Sequence, residues 1–199
     1  MKLIDISRDL FSTPAYPGDP EPRRDLVRRM DMGDSYNLSG FACCCHNATH
    51  MDAPLHFIEG GQPIDKVDLS RCVGPCTVVA ASGIVTGADI DSFFPGSEKR
   101  VLFKGNGEAF LSRSAAFALA QAGALLVGTD AASIGAPDDE AGPHRELLNA
   151  GIPILEGLDL SAAEPGNYTL TALPILLRGA EAAPVRAVLI AEQRNPVQR

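Results

Sequence analysis

The sequence predicts an α/β protein: one domain over residues 1–199, with a mixed β-sheet core and flanking helices. Three observations carry that prediction. Strand-like segments outnumber helical ones. The helical segments lie between strands. Several connections are too short for a helical crossover, so part of the sheet must be antiparallel. A chain of 199 residues suits a single domain and can bury a substantial core without staples.

The elements follow in order. "KLIDIS" sets Lys2, Ile4 and Ile6 against Leu3, Asp5 and Ser7, the alternation of a short strand. "STPAYPGDPEP" is an ordered loop or an extended arm, set by its prolines and its Gly-Asp-Pro turn. "SYNLSGFACCCH" reads as a strand, "EGGQPIDKVDLSRC" as a loop, and "GPCTVVAAS" as a strand opened by Gly74 and Pro75. "TGADIDSFF" is a short helix capped by Thr86, and "KRVLFKGNG" is a strand that runs into a glycine turn. "SRSAAFALAQAG" is a helix with Ser112 or Ser114 near its start and Gly123 at its end. "ALLVGTD" is a buried strand and "AASIGAPDDEAG" a loop. "GPHRELLNAG" is a short helix, with Pro143 suited to its first position and Gly151 to its stop. "IPILEGLDL", "GNYTLTALPILL" and "PVRAVLI" are strands, and the polar end "EQRNPVQR" is expected to fray.

Composition excludes several functions. The net charge is −8, and the arginine pairs are interspersed with acids, which argues against nucleic acid or an anionic membrane as partner. No apolar run approaches the roughly eighteen residues of a spanning helix. "MKLIDISRDL" is not a signal peptide. Five cysteines, three of them consecutive, do not make a disulfide framework. A cytoplasmic location with reduced thiols is expected.

The chemistry concentrates in His46-x-x-x-His50-x-Asp52-x-Pro54-x-His56, which holds three of the four histidines. A helix would place His46 and His50 on one face, but Asn47-Ala48-Thr49 is weakly helical and Pro54 would break the next turn. An extended segment points all the even positions to one side. A straight strand would hold His46 and His56 about 33 Å apart, at roughly 3.3 Å per residue, so the chain must bend. The expectation is a strand end that curls, with His46, His50 and Asp52 facing inward and His56 beyond. Imidazoles with a carboxylate suit zinc, manganese, iron or nickel. Adjacent Cys43, Cys44 and Cys45 cannot all face one ion from a strand. They are read as packing residues, as are Cys72 and Cys76. From the second half, His144 and Glu156 are the natural further ligands, because a carboxylate inside the apolar run "IPILEGL" is costly unless paired or coordinated. Asp130 fits a turn or cap equally well.

"HNATHMDAPLHF" resembles the His-x-Gly-Thr-His-x-Asp-x-Pro-x-His signature of the cyclase family of metal-dependent hydrolases. That family includes bacterial kynurenine formamidase (arylformamidase) and isatin hydrolase. "IDISRDL", "TPAYPGDPEP", "HRELLNAGIPILEGL" and the C-terminal strands extend the resemblance over most of the chain. Ala48 stands where the family usually has glycine. The resemblance implies a swivelling β/β/α fold and a centre of one or two divalent ions, zinc foremost and manganese second. It implies His46, His50 and Asp52 as ligands of a first ion, with Asp52 able to bridge to a second held by His144 and Glu156. His56 becomes the general acid/base. The implied reaction is hydrolysis of a small aryl formamide of the N-formylkynurenine type by metal-activated water. The alternatives are a lactam or isatin-like ring as substrate, or a metal-binding protein without catalysis. Phe11, Tyr16 and Phe57 are candidate walls for an aromatic substrate. Homodimers or homotetramers are the assemblies expected of this family.

Overall fold

A computed structural model describes residues 1–191; the expected fraying of 192–199 lies outside them. The strands are β1 (Lys2–Asp5), β2 (Arg23–Arg28), β3 (Leu38–Ala42), β4 (His50–Asp52), β5 (Val73–Ala80), β6 (Gly83–Val85), β7 (Arg100–Lys104), β8 (Ala109–Leu111), β9 (Leu126–Thr129), β10 (Ile154–Glu156), β11 (Gly166–Pro174) and β12 (Ala182–Ala191). The helices are α1 (Gly87–Phe93), α2 (Arg113–Gln121) and α3 (Ala141–Asn149).

The main sheet runs β1-β12-β11-β5-β7-β9-β10-β4, and β4 also pairs with β12, so the sheet closes into a barrel-like ring. It is mixed, as expected. β5, β7, β9 and β10 pair in parallel, and the remaining pairs are antiparallel. Each of the three helices falls between two consecutive parallel strands of the ring, where a crossover is needed.

Strand alternation sorts the core into two layers. Leu102, Leu126, Leu155 and Met51 join the cluster of β1, β5, β11 and β12 residues inside the ring. Their neighbours Val101, Phe103, Val127 and Ile154 point the other way and pack with Leu119, Leu147 and Leu148 of the helices. Thr86 caps α1 in a capping box with Asp89, and Ser112 caps α2.

The structure departs from expectation in four places. β2 is a strand within the Arg/Asp-rich stretch, exposed along its whole length, so no buried alternation announced it. β3 ends at Ala42, and the three thiols lie beyond it, Cys43 and Cys44 in irregular chain and Cys45 at the start of a turn. β6 and β8 are three-residue strands that pair with each other outside the main sheet. Pro143 is the third residue of α3 rather than the first, because the helix begins at Ala141.

Candidate metal centre

The histidine-rich segment is not one curled strand. It is a turn, then the three residues of β4, then a single 3-10 turn over Pro54–His56. β4 lies between β10 and β12, and its register places Glu156 opposite His50 and Ala182 opposite Asp52. Directly opposed residues of an antiparallel pair share a face. His50, Asp52 and Glu156 therefore project to the helix side of the sheet, while Met51 points into the ring. His144 comes from α3, on the buried face that also carries Leu147 and Leu148.

The turn before β4 is held from both sides. The Asn47 side chain donates to the Leu10 carbonyl at 2.7 Å. The Thr49 hydroxyl accepts from the Arg8 amide at 2.9 Å and donates to the Gly157 carbonyl at 2.6 Å. Ala48 sits at φ +55°, in the left-handed region that favours glycine. A side chain at Gly157, itself at φ +64°, would place its Cβ 2.2 Å from the Ala48 oxygen. The two chain segments touch main chain to main chain.

The structure brings all six expected ligand and acid/base residues together. Asp52 is at the centre and fully buried. Its Oδ1 lies 3.1 Å from His46 Nδ1 and 3.4 Å from His50 Nε2. Its Oδ2 lies 3.6 Å from His144 Nε2 and 3.9 Å from His56 Nε2. Glu156 Oε2 is 3.4 Å from His50 Nε2, and its Oε1 is 3.1 Å from His144 Nε2 and accepts the Ile134 amide at 2.7 Å. Two sets of possible ligand atoms each gather within 4.8 Å: His46, Asp52 and His56, and His50, Asp52 and Glu156. They share Asp52. The grouping differs from the one implied by family resemblance, because His56 joins His46 rather than standing apart.

The donor set fits a divalent cation. His50 donates its Nδ1–H to the Ala48 carbonyl at 3.0 Å, and His144 donates its own to the Glu140 carbonyl at 2.6 Å. Both rings therefore aim Nε2 at carboxylate oxygens. His50 Nε2 and both Asp52 oxygens are buried without a hydrogen-bond partner, an expensive arrangement unless a cation or protons fill it. Burial opposes charge on His50 and His144, but Asp52 and Glu156 outweigh it. His50 is raised well above the ordinary imidazole value and His144 is pushed up to about 10. Burial likewise opposes the charge of Asp52, yet the surrounding imidazoles hold it well below the usual carboxylate range. Burial lowers His56, which keeps it neutral at pH 7.

The centre opens into a cavity of about 190 Å³ whose walls include Tyr16, Asp19, Phe57, Ser133 and Glu140. Tyr16 donates its hydroxyl to Glu140, and that bond pushes the phenol up to about 12. Phe57 lies on the face of His144, with ring centroids 4.5 Å apart, so it is both a wall and a support. Phe11 does not line the cavity; it packs edge-on against Phe41. Neither lysine nor arginine is among the lining residues.

Sequence reasoning did not single out Asp19, Glu140 or Glu181. Asp19 sits inside the Pro-Gly-Asp turn with no local pattern to mark it, and Glu140 is one of three acids in "PDDE" with nothing to distinguish it. Glu181 Oε1 is 3.3 Å from His46 Nε2, a contact without local pattern. Asp130 proves to be a turn organiser, accepting the amides of Gly105, Asn106 and Gly107. Cys72 and Cys76 are buried packing residues, with burial pushing their thiols up to about 11 and about 12.

Comparisons with known proteins identify the chain's relatives. The family model described as "Putative cyclase" matches residues 4–136. A kynurenine formamidase from Salinibacter ruber is 40% identical, over 95% of this chain and 97% of its own. The solved structure of a predicted metal-dependent hydrolase from Bacillus stearothermophilus superposes with a TM-score of 0.80 at 30% identity, covering 94% of this chain and 97% of that one. An isatin hydrolase from Labrenzia aggregata superposes with a TM-score of 0.83, covering 96% and 94%. At 18% identity, that likeness is one of fold.

Proposed function

This chain belongs to the cyclase family, and from that premise we propose that it is a metal-dependent amidohydrolase cleaving a small aryl formamide of the N-formylkynurenine type. The observation that carries the proposal is the buried Asp52 carboxylate, without a hydrogen-bond partner and ringed by four imidazoles that themselves line a cavity. The kynurenine formamidase relative supports a formamide as the substrate class.

His46, His50, Asp52, His144 and Glu156 would hold one or two divalent ions, zinc foremost and manganese second. When bound, such an ion polarises a carbonyl and lowers the pKa of water from 15.7 to about 7. The remaining work belongs to the chain. His56 is neutral at pH 7 and faces the cavity, so it takes a proton from the attacking water and passes it to the leaving nitrogen. An aniline leaving group needs that proton less than an aliphatic amine does. Phe57 and Tyr16 flank the opening and form walls suited to an aryl ring. Glu140 holds the Tyr16 hydroxyl and, through its carbonyl, His144.

Hydrolysis of a lactam or isatin-like ring is the second reading, favoured by the fold shared with isatin hydrolase. The deciding experiment is metal analysis of the active protein together with turnover of N-formylkynurenine and isatin. Activity without any divalent ion would overturn both readings. Bound metal without turnover of either substrate would favour a structural ion.

The assembly proposed is a homodimer or homotetramer. The β2–β3 hairpin supports it, exposing Leu26, Val27, Met30, Leu38 and Phe41. No helix among the described residues is long and apolar enough to cross a membrane, and a cytoplasmic location is the proposal that goes with this.

A further inference from the structure

We infer that Glu181 is the positioning residue of His46: its carboxylate, 3.3 Å from Nε2, favours the tautomer with the proton on Nε2 and so leaves Nδ1 free toward Asp52 and the metal position. The inference rests on the metal-dependent reading above and adds a residue to it.

The three most buried imidazoles share one logic. Each has one nitrogen at the carboxylate cluster and the other engaged outside it. His50 and His144 place Nε2 at the cluster and anchor Nδ1–H on main-chain carbonyls, those of Ala48 and Glu140. His46 is turned the opposite way. Its Nδ1 lies 3.1 Å from Asp52 Oδ1, and its Nε2 lies 3.3 Å from Glu181 Oε1. The outer nitrogen thus meets a side-chain carboxylate where the other two rings meet the main chain. A ring nitrogen can bind a metal only when it carries no proton, and the group that accepts from the other nitrogen decides which one that is. An outer carboxylate also raises the basicity of the ligating nitrogen.

The backbone of Glu181 is fixed independently of its side chain. Its carbonyl accepts the Ala53 amide at 2.9 Å, directly after β4. The next residue, Ala182, pairs with Asp52. The same strand contact that seats Asp52 therefore delivers Glu181 to the far side of His46. The Glu181 side chain is 41% exposed, so solvent screens its charge and its main effect is on ring orientation and tautomer.

The test uses full-length protein stripped of metal, with Glu181→Ala and Glu181→Gln compared to wild type by Zn²⁺ competition and by Co²⁺ absorption spectra. Glu181→Ala is expected to bind Zn²⁺ about 10- to 100-fold more weakly, the range typical of lost outer partners. Glu181→Gln is expected to stay within a few-fold of wild type, because its amide oxygen still accepts from Nε2–H. Both variants should keep the wild-type Co²⁺ band positions, since the ligand set is unchanged. Wild-type affinity in Glu181→Ala would overturn the inference. So would equal losses in both variants with shifted Co²⁺ bands, which would make Glu181 a ligand. Metal binding by the wild type separates the two levels: if it binds no ion the metal reading fails, and if it binds while Glu181→Ala is unaffected only this inference fails. An unchanged far-UV spectrum of the metal-free variants establishes that the fold is intact.

Discussion

His50 donates its Nδ1–H to the carbonyl of Ala48, two residues back along the chain, at 3.0 Å. The acceptor residue is itself held at φ +55°, so a left-handed alanine orients a buried imidazole. A left-handed residue with a Cβ costs about 1–2 kcal/mol, and glycine forfeits about 0.5–1 kcal/mol of chain entropy on ordering. Ala48→Gly is therefore expected to stabilise the protein by roughly 0.5–1 kcal/mol, a rise in melting temperature of about 2–4 °C for each kcal/mol. Ala48→Val should destabilise it. Thermal unfolding of both variants checks this, and a glycine variant less stable than wild type would refute the strain.

Chelation should abolish turnover, and Zn²⁺ or Mn²⁺ should restore it. The ion should also stabilise the fold, by about 2.7 kcal/mol when free metal is a hundredfold above Kd. Melting curves over a metal titration measure this. A melting temperature indifferent to metal would show that these side chains do not share an ion.

Metal binding should release protons. Without an ion, His50 and His144 lie above neutrality, His144 at about 10, because Asp52 and Glu156 outweigh the effect of burial. The ion must displace those protons, so apparent affinity should rise with pH between 6 and 9, about tenfold per unit for each proton displaced. Calorimetry in two buffers of different ionisation heat counts them. Binding that is independent of both buffer and pH would contradict the protonated metal-free site.

Charge on the substrate should matter. Asp19 and Glu140 line the cavity, and no lysine or arginine does. Aryl formamides that carry a carboxylate near the ring should react more slowly than neutral or cationic ones. Asp19→Asn should narrow the gap by severalfold, chiefly through KM. A preference for the anionic substrates would show that the bound divalent ion outweighs Asp19 and Glu140.

The thiol triplet should be dispensable for chemistry. Replacing Cys43, Cys44 and Cys45 together with serine should leave metal content and kcat within about twofold, since none of the three belongs to either ligand group. Cys76→Ser is a different case. It buries a hydroxyl in the ring interior and should cost about 1–3 kcal/mol, read from denaturant unfolding.

Much of the site was legible in the sequence because its residue types are rare and regularly spaced. Glu156 stood out as a carboxylate in an apolar run, and the structure sets it across from His50. The helices were legible from caps such as Thr86 and Ser112, and the buried strands from continuous apolar runs such as that around Val127. Where the reading failed, no local signal existed. β2 buries none of its residues, so it has no alternation to detect. The bend between His46 and His50 depends on tertiary anchors at Leu10 and Gly157. The contact between Glu181 and His46 spans most of the chain and depends on the pairing of β12 with β4.

That pairing has a consequence for biosynthesis. His50 and Asp52 leave the ribosome early, yet the backbone partners that set their register include Ala182, Ala183 and Pro184, which are among the last described residues to be made. A nascent chain can form the parallel strands and helices of its middle while His50 and Asp52 are still unplaced. Metal loading is then a late event, gated by the synthesis of β12, and a chain truncated before β12 would carry every ligand residue without acquiring the centre.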